Sequence, residues 1–149
     1  MITKKSKLKV GIIGCGRIFK KHYSAISRNN NLVVTSICDV NSQSLNKLTA
    51  AGNLDKLKKY TNLNIFLKKE KLDICVICTP SGLHPNHVNL ASKYVKNIIL
   101  EKPMSTSLNR AYEIIKKTKK RKCNVFIVKQ NRLNKPITFL KKILDKKIF

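Results

Sequence analysis

One pattern constrains this chain more than any other: short apolar, β-branched runs alternate with segments of helical spacing, and the first run ends in glycines. Leu8 to Gly14 is a β-type run, closed by Gly14-Cys15-Gly16. Arg17 to Arg28 reads as a helix, with Ile18, His22, Ala25 and Ile26 near one face. Leu32 to Cys38 is a second strand, ending at Asp39. Asn41 is placed to cap a helix from Ser42 to Ala51 that stops at Gly52. A short strand around Lys59-Tyr60 and a helix from Leu63 to Lys69 follow. Asp73 to Thr79 is the clearest buried strand, broken by Pro80 and Gly82, and Pro85 suits the first turn of a helix running to Val95. Asn97 to Glu101 and Asn124 to Val128 read as strands on either side of a helix from Leu108 to Lys120. A final helix, Ile137 to Lys146, carries Leu140, Ile143 and Leu144 on one face. Strands that are apolar on both faces and separated by helices call for a parallel sheet covered on both sides. With right-handed crossovers, this predicts an α/β fold: a doubly wound sheet of about six strands in the order 3-2-1-4-5-6, with ligand at the switch point.

The 149 residues suit one domain, and the 42% hydrophobic content is enough to build a core. The sequence holds no apolar run long enough to cross a membrane, and its basic N-terminus lacks the cleavage pattern of a secretion signal. A cytoplasmic protein is expected. The odd number of cysteines, 5, argues against a secreted disulfide framework, and their apolar neighbourhoods indicate reduced, buried thiols. The formal charge of +25 invites a nucleic-acid reading. Lysines occur in every third of the chain, however, arginine is restricted to Arg17, Arg28, Arg110, Arg121 and Arg132, and tryptophan is absent. Specific phosphate and base readers lean on arginine with interleaved aromatics, so no specific nucleic-acid partner is expected. The densest basic block, Lys116 to Lys122, falls at a helix end, where cations favour the helix dipole.

The chemistry-bearing residues gather where strands should end. Gly14 permits a tight turn after the first strand, and Gly16 lets a pyrophosphate approach the backbone at a helix N-terminus. Asp39, at the end of the second strand, is placed to bond both hydroxyls of an adenosine ribose and to repel a 2′-phosphate, which favours NAD over NADP. The third position of the glycine fingerprint is Phe19, where a small residue is usual, so either looser helix–strand packing or a helix set further out is expected there. Thr79-Pro80-Ser81-Gly82-Leu83-His84 follows the fourth strand and Glu101-Lys102-Pro103 the fifth. Both segments are candidate walls of a cofactor cleft. His84 and His87 suggest a metal pair by spelling, but with no carboxylate nearby in sequence no metal site is expected. Cys75 and Cys78, three apart on a strand, should point to opposite faces and form neither a zinc knuckle nor a redox pair.

Taken together, Gly11-Ile12-Ile13-Gly14-Cys15-Gly16-Arg17-Ile18 with His22, Cys38-Asp39, Asp73 to Pro80 with His84, and Glu101-Lys102-Pro103-Met104 resemble the N-terminal half of a Gfo/Idh/MocA-type oxidoreductase. The resemblance implies a Rossmann domain over residues 1–128, with 129–149 as the connector and first helix of a second domain. It implies that Gly14, Gly16, Arg17 and Ile18 hold the pyrophosphate region and that Asp39 holds the ribose. Thr79, Pro80, Ser81 and His84 would line the nicotinamide side, with Glu101 beside it. Lys102 would be the catalytic residue, touching the nicotinamide ribose and the substrate hydroxyl. Gln130, Asn131 and Arg132 would bind the cofactor near the nicotinamide and the domain junction. Ser81 to Pro85 and Val128 to Arg132 are similar to the branch that oxidises C3 of UDP-activated N-acetylated aminosugars and their uronates with NAD, on routes to polysaccharides.

In that family a second α/β domain supplies the substrate contacts, the subunit interface and usually a catalytic histidine. Here no histidine follows His87. The expectation is therefore the NAD-binding portion of a sugar-nucleotide dehydrogenase that is incomplete alone and needs a second polypeptide or a homo-oligomeric partner. It should carry exposed apolar surface around Phe139, Leu140, Ile143 and Ile148. The alternatives are a non-catalytic NAD-responsive module and a basic polyanion binder.

Overall fold

A computed structural model describes residues 6–50 and 54–146. Six strands form one parallel sheet: β1 (Leu8–Ile13), β2 (Leu32–Cys38), β3 (Lys58–Tyr60), β4 (Ile74–Ile77), β5 (Asn97–Leu100) and β6 (Asn124–Ile127). Their order is β3-β2-β1-β4-β5-β6, so the chain reverses direction across the sheet between β1 and β4. The helices are α1 (Phe19–Ser27), α2 (Ser42–Ala50), α3 (Leu63–Lys69), α4 (His84–Ala91), α5 (Leu108–Lys120) and α6 (Lys135–Asp145).

Period-2 alternation along the strands divides the core in two. Cys75, Ile77, Ile98 and Leu100 pack with Phe66 and Leu67 of α3, Val88 and Ala91 of α4 and Ile114 of α5. Val10, Ile12, Ile37, Val76 and Cys78 pack with Phe19 and Ile26 of α1 and Leu45 of α2. Cys75 and Cys78 thus face opposite sides of the sheet, and all five cysteines are free and buried. Gly11 is the point of closest approach on the first side. A Cβ there would stand 2.5 Å from Leu72 Cδ1 and 2.7 Å from Phe66 Cζ.

Several boundaries differ from the sequence reading. The glycine turn continues through Ile18, so α1 opens at Phe19 rather than Arg17. Phe19 is part of the core between helix and sheet. The ring is buried in the core and stacks on Tyr23 at 5.8 Å, and it fills the space that a small residue would leave to the strand. Ala25 lies on the exposed side of α1, whose buried residues are Phe19 and Ile26. α4 stops at Ala91, where Ser92 takes over the capping bonds, and the next residues turn toward β5. α6 begins two residues early, with Pro136 in its first turn. The expected stop at Gly52 and the exposure of Ile148 fall outside the described residues.

The short β3 is tethered to α3. Glu70, buried beside it, accepts hydrogen bonds from Lys58 Nζ at 3.2 Å and from Tyr60 Oη. Burial pushes the Glu70 carboxyl up, but these two donors more than offset it and hold it below the usual range. No helix among the described residues is long and apolar enough to cross a membrane. No group of three or more metal-ligating side chains gathers among them.

Candidate active site

An open cleft of about 630 Å³ lies at the C-terminal ends of β1, β2 and β4, where the strand order reverses. Doubly wound sheets bind their ligands at this place because the strands there diverge into loops on opposite faces. Gly14, Gly16, Arg17, Ile18, Asp39, Thr79 and Pro80 all line it, joined by Ile13, Cys38, Val40, Leu63, Cys78, Leu83 and His87.

The glycine turn is built by close packing on one side and open space on the other. Gly14 sits at φ +90°, and a Cβ there would stand 2.8 Å from the backbone of Cys78 and Thr79. Its N–H donates to Cys38 O at 2.8 Å, which ties the turn to the end of β2. At Gly16 nothing lies within 4 Å of the Cβ position. No side chain caps the N-terminus of α1, and no acidic residue stands in its first turn. The positive end of that helix dipole is therefore free to face an anion, with Arg17 beside it.

Asp39 stands at the tip of β2. Its Oδ2 accepts from Cys15 N–H at 2.7 Å and its Oδ1 from Asn41 N–H at 2.9 Å. These two bonds fix the carboxylate orientation and leave further lone pairs on both oxygens. A turn with room at Gly16, an uncapped helix start and a fixed carboxylate one strand away match a pyrophosphate and a ribose diol, so the residues present fit a dinucleotide.

Two buried thiols, Cys38 and Cys78, line the cleft, and Cys15 lies in the glycine turn beside it. Burial, then the Asp39 carboxylate, pushes Cys15 and Cys38 up to about 12. Burial, then Glu101, pushes Cys78 up to about 12. Thiols held neutral in this way are poor nucleophiles. His87 was not singled out as a cleft residue from the sequence, yet it is one. Its Nδ1 shares a hydrogen bond of 2.9 Å with Thr79 Oγ1. Burial, with the charge of His84 second, pushes His87 below its ordinary value. No local signal marks it, because His84, one turn earlier on α4, does not itself enter the wall.

The remaining expected site residues stand apart from the cleft wall. Ser81 lies in a 3-10 turn, Ser81–Leu83, and is half-buried. His84 is not in the wall. It is 1% exposed, and both of its ring nitrogens face backbone carbonyls. Glu101 follows β5, and its Oε1 accepts from His22 Nε2 of α1 at 2.7 Å. Its Oε2 accepts from the Lys102 backbone N–H at 3.2 Å. Lys102 is exposed and joined to Pro103 by a cis peptide bond. Gln130, Asn131 and Arg132 form an exposed 3-10 turn beyond β6.

A doubly wound sheet with this turn, cleft and carboxylate defines a dinucleotide-binding Rossmann domain. More particularly, the chain belongs to the Gfo/Idh/MocA oxidoreductase family with its NAD-binding Rossmann fold, whose model matches residues 8–129. The chain is similar in structure to the WlbA dehydrogenase of Bordetella pertussis, solved in complex with NADH and UDP-GlcNAcA. The TM-score is 0.87 at 31% identity, over 94% of this chain and 42% of that one. A second such enzyme, from Chromobacterium violaceum and in the same kind of complex, matches with a TM-score of 0.89 at 30% identity, over 98% of this chain and 41% of that one. In sequence the chain is 23% identical to myo-inositol 2-dehydrogenase of Thermotoga maritima, over 93% of this chain and 41% of the relative. It therefore spans less than half the length of the relatives it matches.

Proposed function

We propose that this chain is the cofactor half of a dehydrogenase that oxidises a sugar hydroxyl, namely C3 of a UDP-activated N-acetylated aminosugar or its uronate. The cleft carries this reading: an open glycine turn, an uncapped helix start and Asp39 line it together with Thr79, Pro80 and His87. Two solved relatives at 30–31% identity, crystallised with NADH and UDP-GlcNAcA, support the substrate class. Residues 1–128 form the NAD-binding domain, and 129–149 lead into the substrate domain.

In this reading the backbone amides at Gly16 to Ile18 and the Arg17 guanidinium bind the pyrophosphate. Asp39 accepts both hydroxyls of the adenosine ribose and repels a 2′-phosphate. NAD held by these residues would supply the hydride acceptor. Lys102 holds the ribose and the reacting hydroxyl in one orientation, which removes most of the entropy cost of bringing them together. The Glu101 carboxylate, bonded to His22 and to the Lys102 backbone, holds the base of that loop, with Gln130, Asn131 and Arg132 at the junction. The buried, unpaired thiols support a cytoplasmic setting.

Calorimetric titration with NADH at physiological salt tests the reading, since long-range attraction to a highly basic protein is then screened beyond about 8 Å. NADH should bind saturably and more tightly than NADPH. Asp39→Ala should lose about ten- to a hundredfold in NADH affinity, as expected for charge-assisted bonds worth about 1.5–3 kcal/mol. Equal weak binding of NADH and NADPH, unchanged in the variant, would refute it.

A further inference from the structure

We propose that His84 is an imidazolium cross-brace that sets the spacing between the Thr79 loop and the Lys102–Pro103 loop, and so positions the nicotinamide side of the site. The proposal rests on the cofactor reading above only for the ligand that would sense the brace.

His84 is the first residue of α4 and is 1% exposed. Its Nδ1 lies 2.7 Å from the Pro103 carbonyl oxygen, and its Nε2 lies 2.8 Å from the Thr79 carbonyl oxygen. The two carbonyls belong to loops that leave neighbouring strands. The last backbone bond between those strands runs from Glu101 N–H to Ile77 O at 3.0 Å. Beyond that rung, among the described residues, no backbone bond joins residues 79–83 to residues 102–104. The imidazole ring takes the place of the missing rung.

A backbone carbonyl only accepts, and a neutral imidazole carries a single N–H. A ring bonded to two carbonyls therefore satisfies both only as the doubly protonated cation. With both nitrogens engaged, the ring has no lone pair for a metal or a substrate proton. His84 is a positioning residue, and its partners Thr79 and Lys102–Pro103 carry the surfaces that meet ligand. Thr79 is doubly placed, its carbonyl on His84 and its hydroxyl on His87.

The test has two arms. In the unmodified protein labelled with nitrogen-15 histidine, NMR at neutral pH should show His84 with two protonated ring nitrogens whose protons exchange slowly. A single protonated nitrogen overturns the proposal. In the second arm, NADH and ADP are titrated into the wild type, His84→Gln and His84→Leu. ADP lacks the nicotinamide end and reports only on the glycine turn and Asp39. His84→Leu should weaken NADH binding about tenfold or more while changing ADP binding less than about twofold. His84→Gln, which keeps one side-chain donor group, should fall between. Equal losses for NADH and ADP, or no loss for either, overturn the positioning role. If His84→Leu does not fold, the NMR arm and His84→Gln decide. If the wild type fails to prefer NADH over ADP, the cofactor reading falls, and the NMR arm still judges the brace.

Discussion

The two faces of the sheet are unequally finished. One is sealed by α3, α4 and α5, and its central residues Cys75, Ile77, Ile98 and Leu100 are all fully buried. The other is covered by α1 and α2 over its β1–β2 half, while toward β6 an apolar surface with Leu8, Ile74, Ile99, Phe126 and Val128 stays open. Phe126, on the edge strand, is 57% exposed, although Val125 and Ile127 beside it pack on the sealed side. α6 belongs to neither core and has no buried residue. Ile137, Phe139, Leu140 and Leu144 are exposed, and Ile143 is half-buried. The difference teaches where a fold of this kind is self-sufficient. The sealed face has its full complement of helices, whereas the open one presents continuous apolar surface of the sort that usually meets another polypeptide.

Neighbouring residues on one strand sharpen this comparison. Ile98 is wholly buried on the sealed face, and Ile98→Ala should cost about 2–5 kcal/mol in denaturant unfolding, the transfer and cavity cost of a core truncation. Ile99 points to the half-open face, and Ile99→Ala should cost less than half as much; equal losses would break the comparison. Gly11→Ala forces a methyl against Leu72 and Phe66 on the sealed side and should cost about 1–3 kcal/mol, with thermal unfolding as the readout.

Acid should act through the cleft. His87 is held below its ordinary value of 6.5. The unfolded chain therefore binds its proton first, and the stability from neutral His87 is present above pH 6.5 and declines as pH falls through the lowered value. The melting temperature should drop on acidification through that window, and His87→Asn should flatten that part of the profile. The smallest effect is expected at the open face. Phe126→Ser should shift stability by no more than about 0.5 kcal/mol and should reduce binding of an apolar dye and self-association. A large loss of stability there would mean that the face is covered.

Much of the fold was legible in the residues. The strand order follows from alternating apolar runs and helices, and α3 and α5 match their expected spans because their sequences carry both the apolar spacing and their own ends. Asn62 caps α3 by accepting from Ile65 N–H at 3.1 Å. Boundaries slipped where the backbone turned without a clear breaker, as at the start of α1 and the end of α4. At the site, the residues on the first turn and at the strand tips came together: Gly14, Gly16, Arg17, Asp39, Thr79 and Pro80 share one cleft. Ser81, Glu101, Lys102 and Gln130 to Arg132 do not enter its wall, because their loops leave strand ends whose separation no local pattern records.

What the sequence determined by itself is what short-range physics encodes. Apolar periodicity makes the strands and helices, glycine permits the positive φ at Gly14, and the end of the second apolar run puts an acidic residue at the tip of β2. Tertiary structure alone decided the rest. It buried Phe19 in the core, brought His87 to the cleft, and placed His84 outside its wall against two carbonyls from separate loops. The physical reason is that hydrogen bonding and burial depend on which strangers in sequence become neighbours in space. That choice is made by the packing of the whole sheet.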